Sequence, residues 1–158
     1  MRQSLLAGLG FGLSSGVITT LGLIIGLTFS VGTKAAVLGG IITIAVADAL
    51  SDALGMHISQ ESNQANDGAH IWESTLSTFI SKLVIALTFA APVLLLPLSE
   101  AVVVCIAWGM LLLSGFSYAI AKKNRENPLY AVSEHLLIGI IVLIATYFIG
   151  IFIKANFA

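Results

Sequence analysis

Charge is scarce in this sequence: Asp, Glu, Lys and Arg make up 9% of its 158 residues, against 58% apolar. A water-soluble domain of that length needs far more charge to coat its surface. A mean hydropathy of +1.02 instead implies lipid as the solvent. The net charge of −1 supplies no basic field, so nucleic acid is not an expected partner. Cysteine is also scarce. Cys105 is alone, so no intrachain disulfide can form and the redox compartment is left open. Its place in an apolar run reads as packing. Internal repeats and low-complexity tracts are absent. So are zincin, nucleophile-elbow and phosphate-loop patterns, and an enzyme is not expected.

What is present is apolar and long. A spanning helix takes about 20 mostly apolar residues, and five stretches qualify: near Ser4 to Thr28, Lys34 to Ser59, Trp72 to Leu96, Ser99 to Lys122 and Ser133 to Ile153. The expected fold is an all-α integral membrane protein, with residues 1–158 forming a single transmembrane domain. The run from Leu5 to Leu27 exceeds the 7–15 residues of a signal h-region and lacks a small-x-small cleavage site, so it is expected to stay as the first helix. Gly32 marks the first turn, and Ser99 in Pro97-Leu98-Ser99-Glu100 is a candidate helix cap. Two connections are polar, Gln60 to Gly68 and Lys122 to Pro128. Arg2, Lys122, Lys123 and Arg125 gather on one side, and only Lys34 and Lys154 on the other. The positive-inside rule then sets the amino terminus inside and the carboxyl terminus outside. Trp72 suits an interfacial anchor, and the expected location is the cell membrane.

The informative stretch is Ala47-Asp48-Ala49-Leu50-Ser51-Asp52-Ala53-Leu54-Gly55-Met56-His57. Each aspartate costs about 2.5–3.5 kcal/mol at the centre of a span, and such residues normally face a bundle interior or a wet path. Asp48, Asp52 and Met56 fall at i, i+4 and i+8, on one helix face. Carboxylates suit Mn²⁺ and Fe²⁺, and a thioether leans away from Ca²⁺ and Mg²⁺. Two carboxylates one turn apart repel in a poorly solvated path, so the empty site is expected to hold protons that a divalent cation displaces. The bland competitor is an ion pair. Lys82, well inside the third span, reaches the depth of Asp48 and could hold two helices together, or could snorkel to the surface. Such a pair accounts for one aspartate and leaves the other.

Other candidates lie nearer the inner surface. His57 and Glu61 share a face, and with His70 and Glu73 they could gather a metal at the cytoplasmic mouth. A solvated helix end is the preferred reading. Glu134 and His135 follow Ser133, and an acidic residue in a first helical turn suits the helix dipole. On the first helix, Gly12-x-x-x-Gly16 and Gly22-x-x-x-Gly26 are close-packing pairs, either for a homodimer seam or for packing within the chain.

With those residues in view, the chain resembles the vacuolar iron transporter family. The resemblance rests on Ser14-Ser15-Gly16-Val17-Ile18-Thr19-Thr20-Leu21-Gly22 through Leu27, on Ala49-Leu50-Ser51 with Leu54-Gly55, on Val93-Leu94-Leu95-Leu96-Pro97, and on Leu136-Leu137-Ile138-Gly139 with Tyr147-x-x-Gly150. It covers nearly the whole chain. It implies a five-helix fold, a homodimer with the path between protomers, and export of Fe²⁺ or Mn²⁺ coupled to protons, with the metal as cargo and no cofactor. Two positions depart from the family pattern. Ser15 stands where the family carries an aspartate, and Asp52 stands where it carries a methionine, with Met56 one turn later. The family's cytoplasmic metal-binding domain is reduced to the loop from Gln60 to His70. The expected metal-contacting residues are Asp48, Asp52 and Met56, followed by Ser15, His57, Glu61 and Glu73. The expected function is divalent metal transport. The alternatives are a non-transporting subunit held by a buried Asp–Lys pair, and an ion or proton channel.

Overall fold

The computed structural model describes residues 3–63 and 65–157. Its helices are α1 (Gln3–Ser30), α2 (Lys34–Glu61), α3 (Gly68–Thr88), α4 (Ala90–Leu95), α5 (Leu98–Asn124) and α6 (Pro128–Phe157). Because α3 and α4 form one broken span, five helices are long and apolar enough to cross a membrane, each of 27 to 30 residues. The break has a local cause. Pro92 brings no N–H for the carbonyl of Thr88, and its ring crowds that turn. The Phe89 N–H bonds instead to Ala86 O at 3.2 Å, a tightened turn. Trp108 Nε1 donates to Thr88 Oγ1 at 3.0 Å, tying α5 to the break.

The helix ends are set by short-range chemistry. Thr33 Oγ1 accepts from the Ala36 N–H at 3.3 Å and caps α2. Asp67 Oδ1 accepts from the His70 N–H at 2.8 Å, which starts the third span at Gly68, ahead of Trp72. Ser99 is not a cap: α5 begins at Leu98 after Pro97, and no side chain caps it. Arg125 closes α5 in the left-handed region (φ 62°), with the Glu126 N–H on Ala121 O at 2.9 Å. Pro128 then opens α6, where its missing N–H costs nothing, and Asn127 Oδ1 accepts from the Leu129 N–H at 3.0 Å. Glu134 and His135 therefore lie in the second turn of α6 and not in its first, so the dipole reading of Glu134 does not hold.

α1 is the central helix, packing against α2, α3, α5 and α6. Its glycines make this possible. A Cβ on Gly12 would lie 2.5 Å from Thr78 O and would collide with Ser81 Oγ. One on Gly16 would meet the Cα and Cγ of Lys82 at 3.4 Å. Gly22 faces Val142 and Thr146 of α6. The glycine row is thus used inside the chain, against α3 and α6. The facing side of α3 is hydroxylated, with Ser74, Ser77, Thr78 and Ser81 buried. Their hydroxyls return to carbonyls of the same helix, as with Thr78 Oγ1 on Ser74 O at 2.8 Å. The outer surface is apolar, and α6 exposes Leu137, Ile141, Ile144, Phe148 and Phe152, as lipid contact requires.

α2 shows how sequence period places the charged groups. Val37, Ile41, Ala45, Ala49 and Ala53 form a buried stripe, and Ile42, Val46, Leu50, Leu54 and Ile58 an exposed one. Between them runs a half-buried stripe of Gly40, Ile44, Asp48, Asp52 and Met56. The aspartates stand at the rim of the bundle.

Candidate functional site

Lys82 is the centre of the site. It comes from α3, its side chain is 1% exposed, and its ammonium is shared by both aspartates of α2. Nζ lies 2.5 Å from Asp48 Oδ2, an ion pair off the hydrogen-bonding direction, since that oxygen has no hydrogen-bond partner. It donates a hydrogen bond to Asp52 Oδ2. Ser15 of α1 completes the cluster: its hydroxyl accepts from Lys82 Nζ at 2.9 Å and donates to Asp52 Oδ2 at 2.7 Å. Three helices are joined through one cation. The bland ion-pair reading assigned Lys82 to Asp48 alone; it engages both, and it does not snorkel to the surface.

Two carboxylates and one ammonium leave the cluster with a formal charge of −1. The repulsion that sequence spacing implied between the aspartates is offset by an amine of the chain itself. The carboxylates still reach the rim, with side chains 29% (Asp48) and 20% (Asp52) exposed. Asp48 also lines a groove of about 470 Å³ between α1 and α2, with Thr19, Leu23, Gly40, Thr43, Ile44 and Ala47. Asp48 thus has a basic partner on its inner side and an opening on its outer side.

The other expected residues are not brought to this cluster. Met56 lies one turn beyond Asp52, half-buried, and its Sδ receives the Gln60 side-chain amide at 3.7 Å. His57 packs edge-on to Trp72 at 4.8 Å between ring centroids. Its Nδ1 is 3.1 Å from Thr75 Oγ1; that hydroxyl already donates to Ile71 O, which leaves the imidazole as donor. Glu61 is exposed at the end of α2. Glu73 turns the other way, accepting from the Ser4 hydroxyl of α1. With Gln3, Ser4, Asp67, Ala69 and His70 it lines a polar cavity of about 550 Å³. The mouth cluster of His57, Glu61, His70 and Glu73 is therefore split between two sides of α3. Among the described residues, no group of three His, Cys, Asp or Glu side chains is placed to hold a metal within one chain. His135 Nδ1 meets Ser117 Oγ at 2.7 Å and links α6 to α5.

A bundle of five spans whose charged side chains, among the described residues, gather in one mid-span cluster and toward the helix ends defines a multi-pass membrane protein. The model of the VIT family, the vacuolar iron transporters, matches residues 54–151. That is more than half of the chain, and the chain belongs to this family, as a short member. It is accordingly a membrane metal-ion transporter, and the metal is its substrate. The match takes in Lys82 but begins after Asp48 and Asp52, so those two stand on geometry alone. No curated protein matches the chain.

Proposed function

We propose that the protein exports Fe²⁺ or Mn²⁺ from the cytoplasm in exchange for protons, along a path lined by Asp48 and Asp52, with Met56 as a soft donor one turn further along. The observation that carries this is a pair of partly exposed carboxylates at mid-span, of which Asp48 opens on the α1–α2 groove. A carboxylate there does not face lipid tails, so that edge needs water, a cation or protein. A homodimer with the groove at its two-fold meets the need and doubles the carboxylates around one path. With the amino terminus in the cytoplasm, the polar cavity near Glu73 opens on the side that supplies metal. The membrane is the plasma membrane.

Lys82 favours a second reading, in which the cluster is a structural clasp and metal crosses elsewhere. Proteoliposomes with internal Mn²⁺ or Fe²⁺ reporters, with and without a pH gradient, separate the two. Asp48→Asn and Asp52→Asn should each abolish metal-driven proton counterflow in a folded protein. The uncharged triple variant Asp48→Asn, Asp52→Asn, Lys82→Met removes the clasp without leaving an unpaired charge. If it folds and carries metal at the wild-type rate, the carboxylate path is wrong.

A further inference from the structure

The transport reading leaves one group without a task. Lys82 fills the space between the oxygens that metal would use. Zn²⁺, a comparable divalent ion, binds carboxylate oxygen at about 2.0–2.2 Å, and the ammonium lies 2.5 Å from Asp48 Oδ2 and in contact with Asp52 Oδ2. An ion held by both oxygens takes the position of Nζ. The stem of Lys82 passes close against Gly16 of α1, where an added Cβ would meet its Cα and Cγ at 3.4 Å. One neutral acceptor is already in reach of a displaced ammonium: the Ser15 hydroxyl, 2.9 Å from Nζ, belongs to α1 and not to the carboxylate helix.

We propose that Lys82 is a tethered counter-cation that the transported ion displaces, and that it sets both the affinity of the carboxylate pair and its preference for divalent over monovalent ions. This rests on the path through Asp48 and Asp52 proposed above. Charge makes the argument. With Lys82 in place the cluster carries −1. A divalent ion that replaces the ammonium between the two oxygens matches their two negative charges by itself, and the displaced ammonium keeps its own charge on the Ser15 hydroxyl. A monovalent ion only exchanges one positive charge for another and gains nothing over the resident amine. Lys82 therefore holds the carboxylates together when the site is empty, keeps Na⁺ and K⁺ out, and yields to an ion of higher charge. α1 supplies no competing charge, since no residue from Gln3 to Ser30 is ionisable.

The test is Mn²⁺ binding and uptake by the full chain in proteoliposomes, with K⁺ or choline as the background cation. Lys82→Met removes a like charge from contact distance, so Mn²⁺ should bind about tenfold tighter or more, and K⁺ should become an effective competitor. Lys82→Arg should move the other way. A guanidinium holds both carboxylates through fixed donors and is not easily withdrawn, so Mn²⁺ binding should weaken at least several-fold while the protein stays folded. A Lys82 that only clasps helices predicts no change in Mn²⁺ affinity for Lys82→Arg, and that result overturns the proposal even if Lys82→Met cannot be recovered folded. Equal K⁺ sensitivity of wild type and a folded Lys82→Met overturns it as well. The triple variant run beside them keeps the two ideas apart: its transport tests the carboxylate path, whatever the Lys82 variants do.

Discussion

Asp48 and Asp52 look equivalent in the sequence and are not equivalent in the fold, which makes their replacement by asparagine a graded test. Asp52 accepts hydrogen bonds from both Lys82 Nζ and the Ser15 hydroxyl. Asp48 faces Lys82 at 2.5 Å without hydrogen-bond geometry. Hydrogen bonds to charged groups contribute about 1.5–3 kcal/mol and neutral ones about 0.5–1.5. Asparagine retains an acceptor, so Asp52→Asn should cost about 1–3 kcal/mol. Asp48→Asn should cost less than Asp52→Asn, since that carboxylate accepts no hydrogen bond from the ammonium. In both single variants Lys82 keeps one carboxylate. In the double variant an ammonium 1% exposed has none, and stranding a buried charge costs about 3–5 kcal/mol. The double loss should therefore exceed the sum of the singles, and adding Lys82→Met should recover much of it. Denaturant unfolding in lipid–detergent micelles, read by the tryptophans, gives the full cycle. Asp48→Asn as damaging as Asp52→Asn, or a double variant that is merely additive, would refute this geometry.

Gly12→Ala should destabilise the bundle by about 1–3 kcal/mol through overpacking, because its methyl would sit 2.5 Å from Thr78 O. Gly115→Ala, where nothing lies within 4 Å, should be neutral or stabilising in the same unfolding assay. Met56→Leu should raise Ca²⁺ inhibition of Mn²⁺ uptake more than it slows uptake, since only the soft donor is lost. Replacing residues 62–66 by a Gly/Ser linker should leave flux at saturating metal unchanged. Extending the replacement through Asp67 should cost about 1 kcal/mol of stability by removing the cap on the His70 N–H. Two-fold packing at the α1–α2 groove should let a cysteine at Thr43 cross-link to its copy in the bilayer, and a chain that stays monomeric there would rule out the homodimer.

The spans were legible because bilayer thickness demands long apolar runs, and no tertiary detail can hide them. Their ends were less so. Asp67 and Asn127 start helices earlier than hydropathy suggests, because a capping oxygen acts on backbone N–H groups and leaves no apolar mark. The broken third span turns on Pro92, which the apolar run Val93–Pro97 overshadowed. The glycines of α1 announced close packing, but a period names a face and not the element that meets it. Only the fold assigns Gly12 to Thr78 and Ser81, and Gly22 to Val142 and Thr146.

The candidate site divides along the same line. Helical spacing suffices to align Asp48 with Asp52, because both lie on one helix and an i, i+4 pair shares a face. Depth counting suffices to bring Lys82 level with Asp48. It does not reveal that one amine serves both carboxylates, because that depends on where α3 crosses α2, and the crossing is set by the small residues of α1 between them. Gly16 and Ser15 do this together. The first lets the Lys82 stem pass, and the second joins the ammonium to Asp52. A bulkier residue at position 16 would push α3 away and leave the aspartates to repel. Gly16→Val should therefore reproduce the unfolding phenotype of the Asp48→Asn, Asp52→Asn variant, although no charged group is altered. If that substitution leaves stability intact, α1 does not position Lys82, and the pairing of the lysine with both carboxylates has another cause.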